Sequence, residues 1–347
     1  MIKAIIYALS AAAFYAISTP LSKLFLNDVP ATFMAAFLYL GAGAGVGIMY
    51  LFRHNKEKPE EKLQRSDFPY TLGMILLDIA APVFLMFGIK LGSASNASLL
   101  GNFEIVATTL IALLIFKETV TKKLWIAIGL ITASSIILSF EGTGSLGFSY
   151  GSLFVLLATV CWGLENNCTR KISGRSTYEI VVLKGIFSGG GAFMIALLLG
   201  EKLPQIKYAA LVMLLGFVAY GISIFLYIRA QNTLGAAKTS AYYAVAPFAG
   251  ALLSFLLLHE KLTGSYVLAL VIMLIGTALV VWDTITRHHH HAHVHVITHT
   301  HNGITHTHTI EHYHGHEHYL KHEGHSHHHS QQELLAGVGH EETVNKN

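Results

Sequence analysis

Apolar runs of about twenty residues recur along this chain and leave it few ways to fold. Wound as helix at ~1.5 Å per residue, such a run crosses a ~30 Å hydrocarbon core. Ten candidate spans stand out, at about 3–26, 31–52, 70–90, 95–116, 123–140, 149–170, 178–199, 208–228, 236–258 and 264–283. Short polar breaks such as "LNDVP", "GSAS" and "SGRST" separate most of them; the one long break is residues 53–67. The runs do not alternate polar with apolar as the strands of a closed barrel do. Charged residues make up 12% of the chain, against roughly 25% in a soluble domain. The expected fold class is an all-α integral membrane protein with ten transmembrane helices.

The same reading excludes several functions. A net charge of +3 is too small to indicate a nucleic-acid partner. Cys161 and Cys168 share one apolar run and one helix face, and imply no disulfide framework. There is no nucleophile–base set, zinc-protease motif or phosphate-binding loop, so the chain is not expected to be an enzyme and no catalytic residue is assigned.

Loop charges set the orientation. With the N-terminus inside, the inner segments collect fifteen Lys and Arg, whereas the outer ones hold five: Lys23, Lys90, Lys202, Lys207 and Lys261. That bias predicts a multi-pass protein of the cell (inner or plasma) membrane with both termini cytoplasmic.

The chain also repeats itself. "FYAISTPLSKLF" (14–25) aligns with "CWGLENNCTRKI" (161–172), placing Tyr15 over Trp162 and Lys23 over Arg170. "LIALLIFKETVTKKLWIAIGL" (110–130) aligns with "LLSFLLLHEKLTGSYVLALVI" (252–272), placing Glu118 over Glu260. Residues 1–141 and 149–283 read as two copies of a five-helix unit, and 287–347 as a cytoplasmic His-rich tail. The first span contains small residues like those of a signal peptide. Its counterpart in the second copy argues that it belongs to the mature fold. Five is odd, so the second copy enters the membrane upside down. Inverted repeats are a signature of secondary transporters with the substrate near midplane; a duplicated structural or receptor bundle is the plainer alternative.

These segments, with "LGSASNASLLGNFEIVATTLIALLIFKETVT" and "LGAAKTSAYYAVAPFAGALLSFLLLHEKLT", resemble the drug/metabolite transporter superfamily, as a permease with two EamA-type domains. The resemblance covers residues 1–283. Where that family often has Glu-Pro in its fourth helix, the first copy has Glu104-Ile105 and the second Ala246-Pro247. Where it often has a basic residue early in its second helix, the second copy has Lys184 and the first Phe37.

Ionisable groups inside a span are costly and usually face a cavity or a partner. The candidates for a substrate cavity or coupling site are Glu104, Asp78, Glu165, Asn166, Lys184, Asn102 and Tyr242. The competing reading is a structural Glu–Lys pair between copies, side chains near an interface, or, for Tyr242 and Tyr243, packing. Glu118 and Glu260 read as structural caps or gate contacts. Prolines 20, 82 and 247 read as kinks, and the glycine runs 41–47 and 188–193 as packing seams.

Beyond Arg287 lie 20 of the chain's 22 histidines. They recur two apart at His293/His295, His299/His301, His306/His308 and His312/His314/His316/His318, which an extended chain puts on one side at ~7 Å spacing. Imidazole is a ligand for zinc and nickel. The composition lacks a core, so the tail is expected to be disordered without metal. No cofactor is required, although Zn2+ or Ni2+ is expected at the tail. The expected partners are the lipid bilayer, a small-molecule substrate, transition-metal ions and a second copy of the chain as a homodimer. The function expected is secondary-active transport, more as exporter, of small polar organic metabolites or drugs. The alternative is a divalent transition-metal (Zn, Ni, Co) transporter whose tail collects or senses the ion.

Overall fold

The computed structural model describes residues 2–52, 62–116, 121–140, 149–234 and 236–285, together with the backbone of 287–301 and 304–318. Glu118 and the tail beyond His318 lie outside the described residues. The chain divides into a helical unit, Met1–Trp282, and a second unit, Asp283–Asn347.

In the helical unit, α1 (Ile2–Ala16) runs into α2 (Ser18–Phe25), followed by α3 (Ala31–Leu51) and α4 (Phe68–Leu91). Next come α5 (Ala94–Leu100), α6 (Phe103–Phe116), α7 (Lys122–Ser139) and α8 (Tyr150–Ile172). Helices α9 (Thr177–Leu183) and α10 (Gly189–Leu198) are joined through a π-helical turn, Lys184–Ser188. A second π-helical segment, Phe217–Ile222, joins α11 (Ile206–Gly216) to α12 (Ser223–Leu234). Last are α13 (Ala236–Tyr243), α14 (Ala246–Leu258) and α15 (Gly264–Ile285). Among the described residues, nine helices are long and apolar enough to cross a membrane. The sixth expected span, α8, is a helix of 23 residues, but its Glu165-Asn166-Asn167 step makes it too polar to join them.

Small side chains face inward and large apolar ones outward, the reverse of a soluble core. Helix α1 buries Ala4, Ala8, Ala11, Ala12 and Ala16, a single stripe at helical period. Ile6, Leu76, Leu114 and Leu198 are exposed, as expected of side chains bathed in lipid. Without water to drive association, close backbone contact between small residues holds such helices together.

Helix α3 sits against both helices that carry a π-helical segment, and here glycine is obligatory. A Cβ on Gly43 would lie 2.7 Å from Ile186 N, and one on Gly189 would lie 2.7 Å from Leu40 N. Likewise, a Cβ on Gly45 would strike the Phe217 ring and one on Gly191 the Ile79 side chain. Residues 40–43 thus run against 186–189 in reverse order, so α3 and the helix 177–198 cross antiparallel.

Two spans are broken at corresponding places. Gly101 and Asn102 separate α5 from α6; Ala244 and Val245 separate α13 from α14, just ahead of Pro247, which has no N–H to carry a helix through.

In the second unit, β1 (Arg287–His301) pairs antiparallel with β2 (Ile304–His318). This corrects the expectation of a disordered tail over these residues. Both strands alternate His with strand-favouring Val, Thr or Tyr. The two residues between them are Asn302-Gly303, a dipeptide suited to a tight hairpin turn.

Candidate functional site

Three buried charges converge at the centre of the bundle. Lys184 opens the π-helical turn after α9, and its Nζ lies 2.8 Å from Glu165 Oε1 on α8 and 3.2 Å from Asp78 Oδ2 on α4. All three side chains are less than 8% exposed. The Tyr39 hydroxyl on α3 donates to Asp78 Oδ1 at 3.1 Å, and the Thr169 hydroxyl donates to Glu165. One ammonium thus serves two carboxylates, with hydroxyls taking up remaining acceptor capacity, as charges removed from water require. The expected Glu–Lys pair exists, but it lies within 149–283; the link to residues 1–141 is Asp78–Lys184.

The next residue on α8 serves a different carboxylate. Asn166 Nδ2 donates to Glu104 Oε1 at 2.5 Å. Glu104 stands in the first turn of α6, directly after the Gly101–Asn102 break, and is only partly buried. Successive residues of a helix are ~100° apart around its axis, so Glu165 meets the charge cluster while Asn166 meets Glu104.

A row of tyrosines leads away from the cluster. Tyr39 neighbours Tyr220, with ring centroids 5.3 Å apart; Tyr15 follows at 5.6 Å from Tyr220, Tyr243 at 5.9 Å from Tyr15, and Tyr227 at 5.0 Å from Tyr243. The Tyr227 and Ser240 hydroxyls are 2.7 Å apart. Sequence reasoning missed Tyr39, Tyr220 and Tyr227. The usable signal was a hydroxyl that needs a partner in an apolar helix.

The other expected site residues lie elsewhere. Tyr242 packs against the small cluster of Ala4, Ala8, Ala230 and Leu234, so its neighbour Tyr243 is the one in the tyrosine row. Asn102 is buried and bonds back to Leu99 O at 3.5 Å, beside the helix break. Of the helix-end carboxylates, Glu260 receives the backbone N–H groups of Ala94 and Ser95 at 2.8 and 2.9 Å, capping α5. Glu201 does the same for Thr32 and Phe33 at the start of α3. Lys23 Nζ donates to Ile89 O and Gly92 O, both at 2.6 Å, at the end of α4.

An all-helical bundle with charges gathered at its centre and helices broken beside them defines a membrane transport protein. The chain belongs to the EamA-like transporter family, which matches residues 2–140 and again 149–282. It is thus an EamA-type permease of the drug/metabolite transporter superfamily with two EamA domains: a multi-pass membrane transporter, not an enzyme. It is similar to an uncharacterized transporter of Methanothermobacter thermautotrophicus, 26% identical over 299 residues that cover 79% of this chain and 85% of that protein. The uncharacterized transporter YyaM of Bacillus subtilis is 23% identical over 230 residues, 64% of this chain and 75% of its own. A solved crystal structure superposes with a TM-score of 0.60 at 16% identity, covering 80% of this chain and 94% of that one, which shows the fold alone.

Proposed function

We propose that this protein is a secondary-active exporter of small polar organic metabolites or drugs, with ten spans arranged as two inverted five-helix repeats, 1–141 and 149–283. The observation that carries the proposal is Glu104: a carboxylate beside a helix break, partly exposed, and held by a neutral amide from the other repeat. Discontinuous helices at a repeat interface are where transporters of this kind place substrate and coupling ion. Glu104 is the group able to trade its proton or its Asn166 contact for a substrate. Asp78, Glu165 and Lys184 form a charge clamp that ties the repeats together beneath it.

The inverted arrangement draws support from the matched glycine contacts. Gly43 and Gly45 correspond to Gly189 and Gly191 at one offset of 146, and each pair makes the reciprocal contact to the other repeat. The antiparallel crossing of α3 with its counterpart fits two units of opposite orientation. Metal transport is disfavoured because a divalent ion would have to displace Lys184 from both carboxylates of the clamp. Both termini are placed in the cytoplasm. Asn345→Cys should resist impermeant thiol reagents in intact cells and react after lysis; labelling of intact cells would reverse that orientation.

The test of function is transport in inside-out vesicles with a panel of organic solutes plus Zn2+, Ni2+ and Co2+. Glu104→Gln should cut organic-solute transport by about tenfold or more while the protein still inserts. Normal transport with an unchanged pH profile removes Glu104 from the mechanism, and accumulation of metal ions alone overturns the organic-substrate assignment.

A further inference from the structure

We infer that one face of the β1–β2 hairpin is a linear array of transition-metal sites, each built from both strands. In the observed register, His289 stands opposite His316, His291 opposite His314, and His293 opposite His312. A fourth pair, His299 and His306, stands nearer the turn. Directly opposed residues belong to the same face and successive residues alternate between faces. Of the fourteen histidines in the two strands, twelve therefore fall on one face, six from each strand. The other face has only His288 and His290, with Ala292, Val294, Thr298 and Thr307 among its members.

This partition is what separates a built site from a histidine-rich solvating tail. A register slipped by one residue would move one strand's histidines to the opposite face and leave no cross-strand pair. Opposed residues of an antiparallel pair have Cβ atoms about 5 Å apart, and same-face neighbours along a strand are ~7 Å apart. Two consecutive cross-strand pairs thus offer four imidazoles within the compass of one ion, the number a tetrahedral Zn2+ takes. The pairs 289/316 and 291/314 make one such group. The pair 293/312 with His295 makes a second, and 299/306 with His301 and His308 a third. The capacity is about three ions at about four ligands each. Neutral imidazole nitrogens are required, so binding should weaken as pH falls through about 6.5.

The inference does not depend on what the helical unit carries, and its test involves no transport. Zn2+ binding is titrated calorimetrically into the full chain in detergent at pH 7.5, with Ni2+ in a parallel run. One variant replaces His291, His293, His312 and His314 with Thr, which keeps strand propensity. A second replaces the same number of histidines off the face: His288, His290, His325 and His327. The on-face variant should lose one to two of about three high-affinity Zn2+ ions, and the off-face variant none. Equal losses in the two variants would show that histidine number and not register governs binding, and would overturn the array. So would a wild-type chain that binds no Zn2+ with high affinity.

Discussion

Charge is used in two ways in the helical unit. At the centre, Lys184, Asp78 and Glu165 satisfy one another in near-complete burial. At one end of the bundle, Glu201, Glu260 and Lys23 satisfy not side chains but the unpaired backbone groups that every helix leaves at its termini. A helix end is a fixed, partial charge with water nearby, so a missing cap leaves groups that can rehydrate. A carboxylate at the centre has no such recourse. Central charges should therefore be strongly interdependent, and the terminal ones individually modest.

The largest effect should come from breaking the clamp on one side. Lys184→Met leaves two carboxylates buried without their cation and should destabilise the protein by about 3–5 kcal/mol, read as a lower thermal midpoint in detergent. The triple change Asp78→Asn, Glu165→Gln, Lys184→Met should recover most of that loss, because no unpaired charge remains. A triple variant as unstable as the single one would mean that packing, not charge, sets the cost. Glu260→Gln should cost about 1 kcal/mol, since one oxygen remains to accept from the start of α5. Should it cost as much as Lys184→Met, the contrast between centre and end would collapse. Smallest in stability is Glu104→Gln, about 0.5 kcal/mol or less, because an amide can keep one bond to Asn166 in a partly exposed place. A large drop in its thermal midpoint would recast Glu104 as part of the clamp.

The spans were legible because hydropathy is a local property: 31–52 was expected and Ala31–Leu51 is observed. The individual ionisable residues were legible for the same reason, each being costly where it stands. Their partnerships were not. Asp78 and Lys184 are separated by 106 positions, and only the packing of α4 against the π-helical turn brings them together. The choice between Tyr242 and Tyr243 turned on helical phase just before the break at Ala244, which one sequence does not fix. The tail was misread for a different reason. Its composition lacks a core, and that argument passed over the period-two alternation on either side of Asn302-Gly303.

The glycines of the central crossing bear on how the chain can change by mutation. If the two repeats descend from one unit that once paired with itself, a single codon supplied both Gly43 and Gly189, and any substitution struck both sides of the seam at once. Fusion into one chain gave each position its own codon, yet neither gained freedom, because each still lies against the other repeat's backbone. The duplicated halves can diverge in their chemistry, as Glu104 against Ala246 shows, only where they do not touch each other across that seam. Inheritance at the crossing stays joint long after the genes for the two halves became separate stretches of one reading frame.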